Sequence, residues 1–520
     1  MVSAILLVAA AHGAVASGPG GPNPFESAST PSAGSPLDRL AWAGNANPRV
    51  APAALCSDAV FLRRAYLDVI GTLPTGAEAR DFLLDPAPDK RRALVERLLG
   101  REEFADFWAM KWGDLLRVKA EFPINLWPNA AQAYHRWIRT SLREGRSFDW
   151  FARELLTASG SNFRVGPVNF YRAMQNREPR GIAQTVALTF LGTRLEQWPE
   201  AQAAGMAAFF SQIGTKSTGE WKEEIVFFDP HLATNGLWQG ATFPDGTAAR
   251  FKPGQDPRAV FADWLITPEN PWFTRAIANR VWSWLMGRGI IHEADDLRPD
   301  NPPANPALLA YLERELIAAK YDLRHLFRLI LNSKTYQLFP IADAGRPPGE
   351  ATYALYHTRR LEAEVLIDAL NQITGSREKY SSPIPEPFTV IPETQRSIAL
   401  PDGSITSSFL ELFGRPPRDT GLESERNNRP TAAQRLHLLN SSHIQRKIEQ
   451  SPMIRYQTQP GKGPGEMATG IYLGILSRFP TEGERQAVEE YAQSGVANRQ
   501  QAAVDLAWAL INSPEFLYRH

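Results

Sequence analysis

Asp295, Asp296 and Asp300, in the run HEADDLRPDNPPANP (His292–Pro306), are hard oxygen donors close enough in sequence to hold a divalent cation, with the Asn301 carbonyl as a further ligand. Their spacing matches no calcium loop, and Asp-rich, Pro-rich turns also cap helices, with Arg298 placed to pair with any of these carboxylates. A second group runs from Arg359, Arg360 and Glu362 through FGRPPRDTGLESERNNRP, which carries Arg415, Arg418, Glu423, Glu425 and Arg426, to Gln434, His437 and Asn440. The last three recur every third residue and share one face of the helix that Thr431 caps. With Arg415 and Arg426 above them they predict a polar pocket for a glycan, a carboxylate or a sulfate, in which His437 between guanidinium groups favours its neutral form. The competing reading is a buried Arg–Glu network that holds down a long loop. A third group, STGEWKEE (Ser217–Glu224), sets Trp221 beside Glu220, Glu223 and Glu224. It has the composition of a glycosidase's paired carboxylates, and equally of a solvated turn leading into a strand.

Other chemistries lack their motifs. The chain shows no P-loop, dinucleotide fingerprint, zinc spacing or nucleophile–base–orienter set. A single cysteine, Cys56, excludes an intramolecular disulfide, a Cys-x-x-Cys-His haem attachment and a thiolate zinc site. Placed where the first helix begins, it reads as a small buried thiol. No metal and no cofactor are expected from these patterns. The Trp pairs in WAMKW and VWSWL have helical spacing and read as core, whereas Trp198 and Trp221 fall in elbows, where a ring is available to stack on a sugar.

The elements that must position these residues are helical almost throughout. DAVFLRRAYLDVI, KRRALVERLL, AQAYHRWIRTSLRE and GIAQTVALTFL carry apolar residues at spacings of three and four and end at Gly71, Gly100, Gly145 and Gly192. Thr75, Thr431 and Thr481 open capping boxes, and Asn305-Pro306 reads as an N-cap followed by Pro at the first helical position. EEIVFF (Glu223–Phe228) is the clearest strand and FTVI near Phe388 a weaker one. YLDVIGTLPTGAEAR from Tyr66 is echoed by YLGILSRFPTEGERQ from Tyr472, and each copy closes on a similar segment, VERLLGREEFADFW and AWALINSPEFLYRH. These observations predict a mainly α protein of two helical domains built from helical hairpins, 38–230 and 258–520, with few short strands. They meet at a Gly/Pro-rich linker, 231–257, and the second carries a long irregular insertion, 375–430.

Lys plus Arg equals Asp plus Glu, 56 of each, so no global field draws the chain to nucleic acid. The apolar run from Ala4 to the small residues Ala14-Val15-Ala16 reads as a signal peptide, residues 1–16, although the first basic side chain is Arg39. It is too short to span a bilayer, and the Gly/Pro/Ser-rich 17–37 reads as a flexible linker. An exported product follows, periplasmic, envelope-bound or extracellular, with no transmembrane segment after cleavage.

The segment FLRRAYLDVIGTLPTGAEARDFLLDPAPDKRRALVERLLGREEFADFWAMKWGDLLR resembles the planctomycete cytochrome C-associated domain of unknown function. The segment from ADWLITPENPWFTRAIANRVWSWLMGRGIIHEADDLRPDNPPANP onward, with RRLEAEVLIDALNQITG, FGRPPR and LHLLNSS, resembles the domain of unknown function that usually follows it. Many members of that family carry a Cys-x-x-Cys-His-type stretch just after the FLG helix end. Here Gly192 leads into TRLEQWPEAQ, without Cys or His, so the haem or metal site that the resemblance implies is absent and no covalent haem is expected. The resemblance and the leader together imply a non-haem component of an envelope or extracellular assembly that handles polymers such as glycans, with a protein partner. A carbohydrate-active hydrolase, and an electron-transfer accessory whose haem sits on another chain, are the alternatives.

Overall fold

A computed structural model describes residues 24–27, 31–43, 52–340 and 353–520; the leader expected over 1–16 lies outside them. Helices make up 53% of the structure and strands 6%, so the chain is mainly α with few short strands. The capping chemistry is where the sequence places it. Thr75, Thr431 and Thr481 each accept from the backbone N–H three residues on while the Glu or Gln there reaches back, and Asn305 caps the helix Pro306–Ala318. Gly71, Gly145 and Gly192 take left-handed φ values; Gly100 ends its helix in right-handed geometry.

EEIVFF supplies the strand Glu224–Phe228, the centre of an antiparallel sheet flanked by Gly160–Ser161 and Ile213–Ser217. The weaker expectation, FTVI, forms no strand. Pro387 and Pro392 bracket it without donors for a ladder, and Phe388 and Val390 lie exposed. Two-residue strands Arg359–Arg360 and Tyr518–Arg519 pair antiparallel far from that sheet.

One apolar core runs from Leu37 to Phe516, with Trp108, Trp112 and Trp282 fully buried in it. The stretch expected as a loose tether, 17–37, departs from that reading where it is described. Ser27 N–H donates to the Leu55 carbonyl, Ser57 Oγ donates to the Pro24 carbonyl, and a helix starts at Pro36. Residues 231–257 hold two 3-10 turns and a tight bridge between Thr242 and Ala248; Phe243 stacks on Trp264 with centroids 5.1 Å apart.

The sequence echo is a structural repeat. In the first copy Arg101 lies over the Tyr66 ring and joins Glu78, of the capping box, to Glu103. In the second, Arg478 lies over Tyr472 and joins Glu484, of the capping box, to Glu515. The two hairpins also pack on each other. A side chain at Gly76 would meet Gly474 and Leu473, and Arg63 donates to the carbonyls of Ile475 and Phe516.

Candidate functional site

Charged residues accumulate where helices have no wet face to offer them. The helix Asp58–Val69 is buried on nearly every side, so Asp68 has only the interior to enter. The helix Glu102–Leu115 turns Lys111 and Asp114, one turn apart, toward the same place. Glu362 and Glu364 come from the start of Ala363–Thr374, Arg519 from the last strand, and Arg415, Arg418 and Arg426 from the irregular segment. Gly113 and Gly403 leave room for Arg418; a Cβ on either would come within 3.1 and 3.0 Å of its side chain.

Asp68 accepts from Tyr336 and Tyr356 hydroxyls at 2.9 and 2.8 Å and pairs with Arg359 and Arg519 at 3.0 and 3.2 Å. Glu362 pairs with Arg519 and Lys111. Asp114 pairs with Arg418 at 2.9 Å and Arg426 at 2.6 Å, and Arg426 reaches Glu364 at 2.7 Å. Burial alone would raise the carboxyl pKa values. Around Glu362, Arg519 and Lys111 outweigh it, and around Asp114, Arg426 and Arg418 do, so both acids are held below the usual carboxylate range. Burial, reinforced by neighbouring Arg418, lowers Arg415 to about 10.

Beside this network lies a cavity of about 20 Å³, lined by Lys111, Asp114, Arg280, Trp284, Glu423 and Arg426 among others. That is room for roughly one water molecule. Arg280 is buried and gives its guanidinium to the carbonyls of Leu188 and Thr189, in the π-helical turn Ala187–Leu191. Burial lowers its pKa against the pull of Asp295 and Glu423, neither of which forms an ion pair with it. Such a site can hold a water or a small anionic oxygen, and is too small for a sugar ring.

The sequence-predicted pocket around His437 is not assembled as one site. Arg415 and Arg426 are drawn to the buried Glu364 and Asp114 instead of lying above His437. Gln434 is buried, its Oε1 accepting from Thr431 N–H and Arg360 while its Nε2 donates to the Leu412 carbonyl. Asn440 is exposed at the helix end, and His437 turns to His443. The capping box claims Gln434 and buried carboxylates claim the guanidinium groups, which divides the expected constellation into three. Asp68, Lys111, Asp114, Glu364, Arg280 and Arg519 were not singled out by sequence reasoning. Their signal is a charge at a position that the apolar periodicity assigns to the core.

The acidic candidates are engaged as well. Asp295, 2% exposed, lies 3.4 Å from Arg194 and accepts from the Glu423 N–H, while Asp296 and Asp300 share Arg298. Glu223 accepts from Ser161 and Thr218, which hold its pKa down, and Glu224 pairs with Arg172 at 2.7 Å. Glu220 and Trp221 are exposed on the turn, and Trp198 packs against the core.

A larger opening, about 1260 Å³, lies between the two hairpins. The helices Gly76–Leu84, Pro452–Gln457, Pro464–Leu476 and Glu482–Gln493 form its walls. Arg80, Gln457, Arg485 and Gln493 project polar groups into it beside Tyr456, which is 56% exposed and carries the Lys462 ammonium 3.5 Å from its ring centroid. Its walls come from opposite ends of the chain, so no local motif announces it.

Residues 36–214 match the family model described as PSCyt2, a protein of unknown function (DUF1549). Residues 257–492 match PSD1, a protein of unknown function (DUF1553). No curated protein and no solved structure matches the chain.

Proposed function

We propose, for a chain that belongs to the family pairing a DUF1549 segment with a DUF1553 segment, a non-catalytic role as a component of an exported assembly that grips a glycan-like polymer. The observation that carries this reading is the engagement of the candidate acids. Glu223, Glu224, Asp295, Asp296 and Asp300 are tied to guanidinium, hydroxyl or backbone partners, and Asp68, Asp114, Glu362 and Glu364 are locked against Arg or Lys, while buried Asp402 is held by the backbone N–H groups of Ala120 and Ser404. A glycosidase instead needs two carboxylates facing across an open cleft, one of them with a raised pKa. The groove between the hairpins supports the polymer part of the proposal. It has the volume of several sugar rings, an exposed tyrosine, and planar amide and guanidinium groups of the kind that hydrogen-bond hydroxyls. The apolar leader of the sequence supports export.

Affinity electrophoresis of the purified chain through gels cast with neutral and acidic polysaccharides, paired with an assay for newly formed reducing ends, tests this. Retardation by at least one polysaccharide, weakened about tenfold in Tyr456→Ala as expected for loss of one stacking contact, without release of reducing ends, is the expected result. Release of reducing ends that Glu223→Gln or Asp295→Asn abolishes would replace the proposal with a hydrolase.

A further inference from the structure

Helices Ala432–Asn440 and Ser442–Glu449 share Ser441, which ends the first and caps the second. The bend brings two imidazoles together edge-on, with ring centroids 5.6 Å apart and planes at 63°. Nε2 of His437 lies 3.3 Å from Nδ1 of His443, and Nε2 of His443 lies 3.0 Å from Oε2 of Glu378. A carboxylate only accepts, so in neutral His443 the hydrogen sits on Nε2 and the Nδ1 lone pair faces His437. Phe409 and Phe413, stacked with centroids 4.1 Å apart, meet both rings edge-on between them: Phe409 touches each imidazole and Phe413 touches His437. These contacts fix the ring planes. His443 keeps a third of its side chain exposed and Asn440 is exposed close by in sequence, so solvent reaches the pair.

We propose that His437 and His443 form a binding site for a borderline divalent transition metal ion, with Cu²⁺ bound more tightly than Zn²⁺. Two nitrogens each about 2.0–2.1 Å from a tetrahedral ion stand roughly 3.3–3.4 Å apart, so the pair is already spaced as a chelate. Glu378, its side chain 8% exposed and also 3.3 Å from Lys447, fixes the tautomer of His443 from its far nitrogen, as carboxylates behind metal-bound histidines do. Lys447 gives its three hydrogens to Asn371, Ser376 and the Arg377 carbonyl. On binding, the ion takes the place of the hydrogen between the rings. His437 carries that hydrogen on Nδ1 instead, so no proton is lost. Among the described residues no three His, Cys, Asp or Glu side chains converge as ligands, so water completes the shell and the ion remains open to an outside donor.

Cu²⁺ alone, added to the full chain, is the probe. Electron paramagnetic resonance is expected to show one tight equivalent coupled to two nitrogens, with Zn²⁺ competing for it. His437→Gln and His443→Gln each remove one nitrogen coupling and weaken binding at least tenfold, and Glu378→Gln weakens it by about ten- to a hundredfold. An oxygen-only or single-nitrogen spectrum from the unmodified chain overturns the proposal whatever the variants do. So does binding that both folded histidine variants retain.

Discussion

Arg426 joins two acids from different parts of the chain, Asp114 and Glu364, and with Arg418 and Arg415 it neutralises both inside the protein. Isolated, each carboxylate would be costly to bury; paired and hydrogen-bonded, they are tolerated, and their value lies in fixing one arrangement of the chain. The same setting makes His135 acid-sensitive. Burial first, then Arg418 and Arg139, push it down to about 3, and its Nε2 is buried without a partner. Because the folded pKa lies below the unfolded value of about 6.5, the unfolded chain takes up a proton first as pH falls. The stabilisation is complete above pH 6.5 and is lost progressively toward pH 3, at about 1.4 kcal/mol per pH unit. His520, pushed down to about 4 chiefly by burial, acts in the same direction. Melting temperature followed by circular dichroism should therefore fall steadily from pH 6.5 to 4, and His135→Gln should flatten that slope. An unchanged slope would remove His135 from the explanation.

The hairpins show what a linear sequence discloses at the scale of elements. Helix boundaries, three capping boxes and the repeat around Tyr66 and Tyr472 were all legible, because each depends on neighbours within a turn or two. The Arg clamps were not. Arg101 follows the third helix of its copy, Lys90–Leu99, whereas Arg478 lies in the turn after the first, so no alignment of the two copies pairs them, yet both bridge equivalent glutamates. The pocket expected at Gln434, His437 and Asn440 rested on helical spacing alone, which says nothing about what packs above a face. The repeat also yields a stability test. Gly71 and Ser477 occupy equivalent left-handed positions, φ 60° and 59°, but only the second is not glycine, and its buried hydroxyl has no partner. Ser477→Gly is expected to stabilise by about 0.5–1 kcal/mol, read as a higher urea midpoint at unchanged slope. Gly71→Ser should do the reverse more strongly, because its Cβ would lie 2.4 Å from the Phe107 ring.

For the whole molecule, the two matched segments share one apolar core and one ionic interior. Separately expressed, residues 1–257 would leave Asp68 and Asp114 buried without their Arg partners, and residues 258–520 would leave Arg418 without Asp114 and leave Arg426 and Arg519 with only Glu364 and Glu362. Neither piece alone should give sharp near-ultraviolet dichroism, and mixing or co-expression should restore it. A cooperative melt from either piece would mean that the interior pairs are dispensable for folding. Sequence could not foresee this sharing, since Asp68 pairs with an arginine 451 positions away. That separation is also a delay. At about 5–20 residues per second, a ribosome takes roughly 20 to 90 seconds to supply the Arg519 that Asp68 requires. Throughout that interval Asp68 lacks one of its two arginine partners, which leaves the first helices available to chaperones.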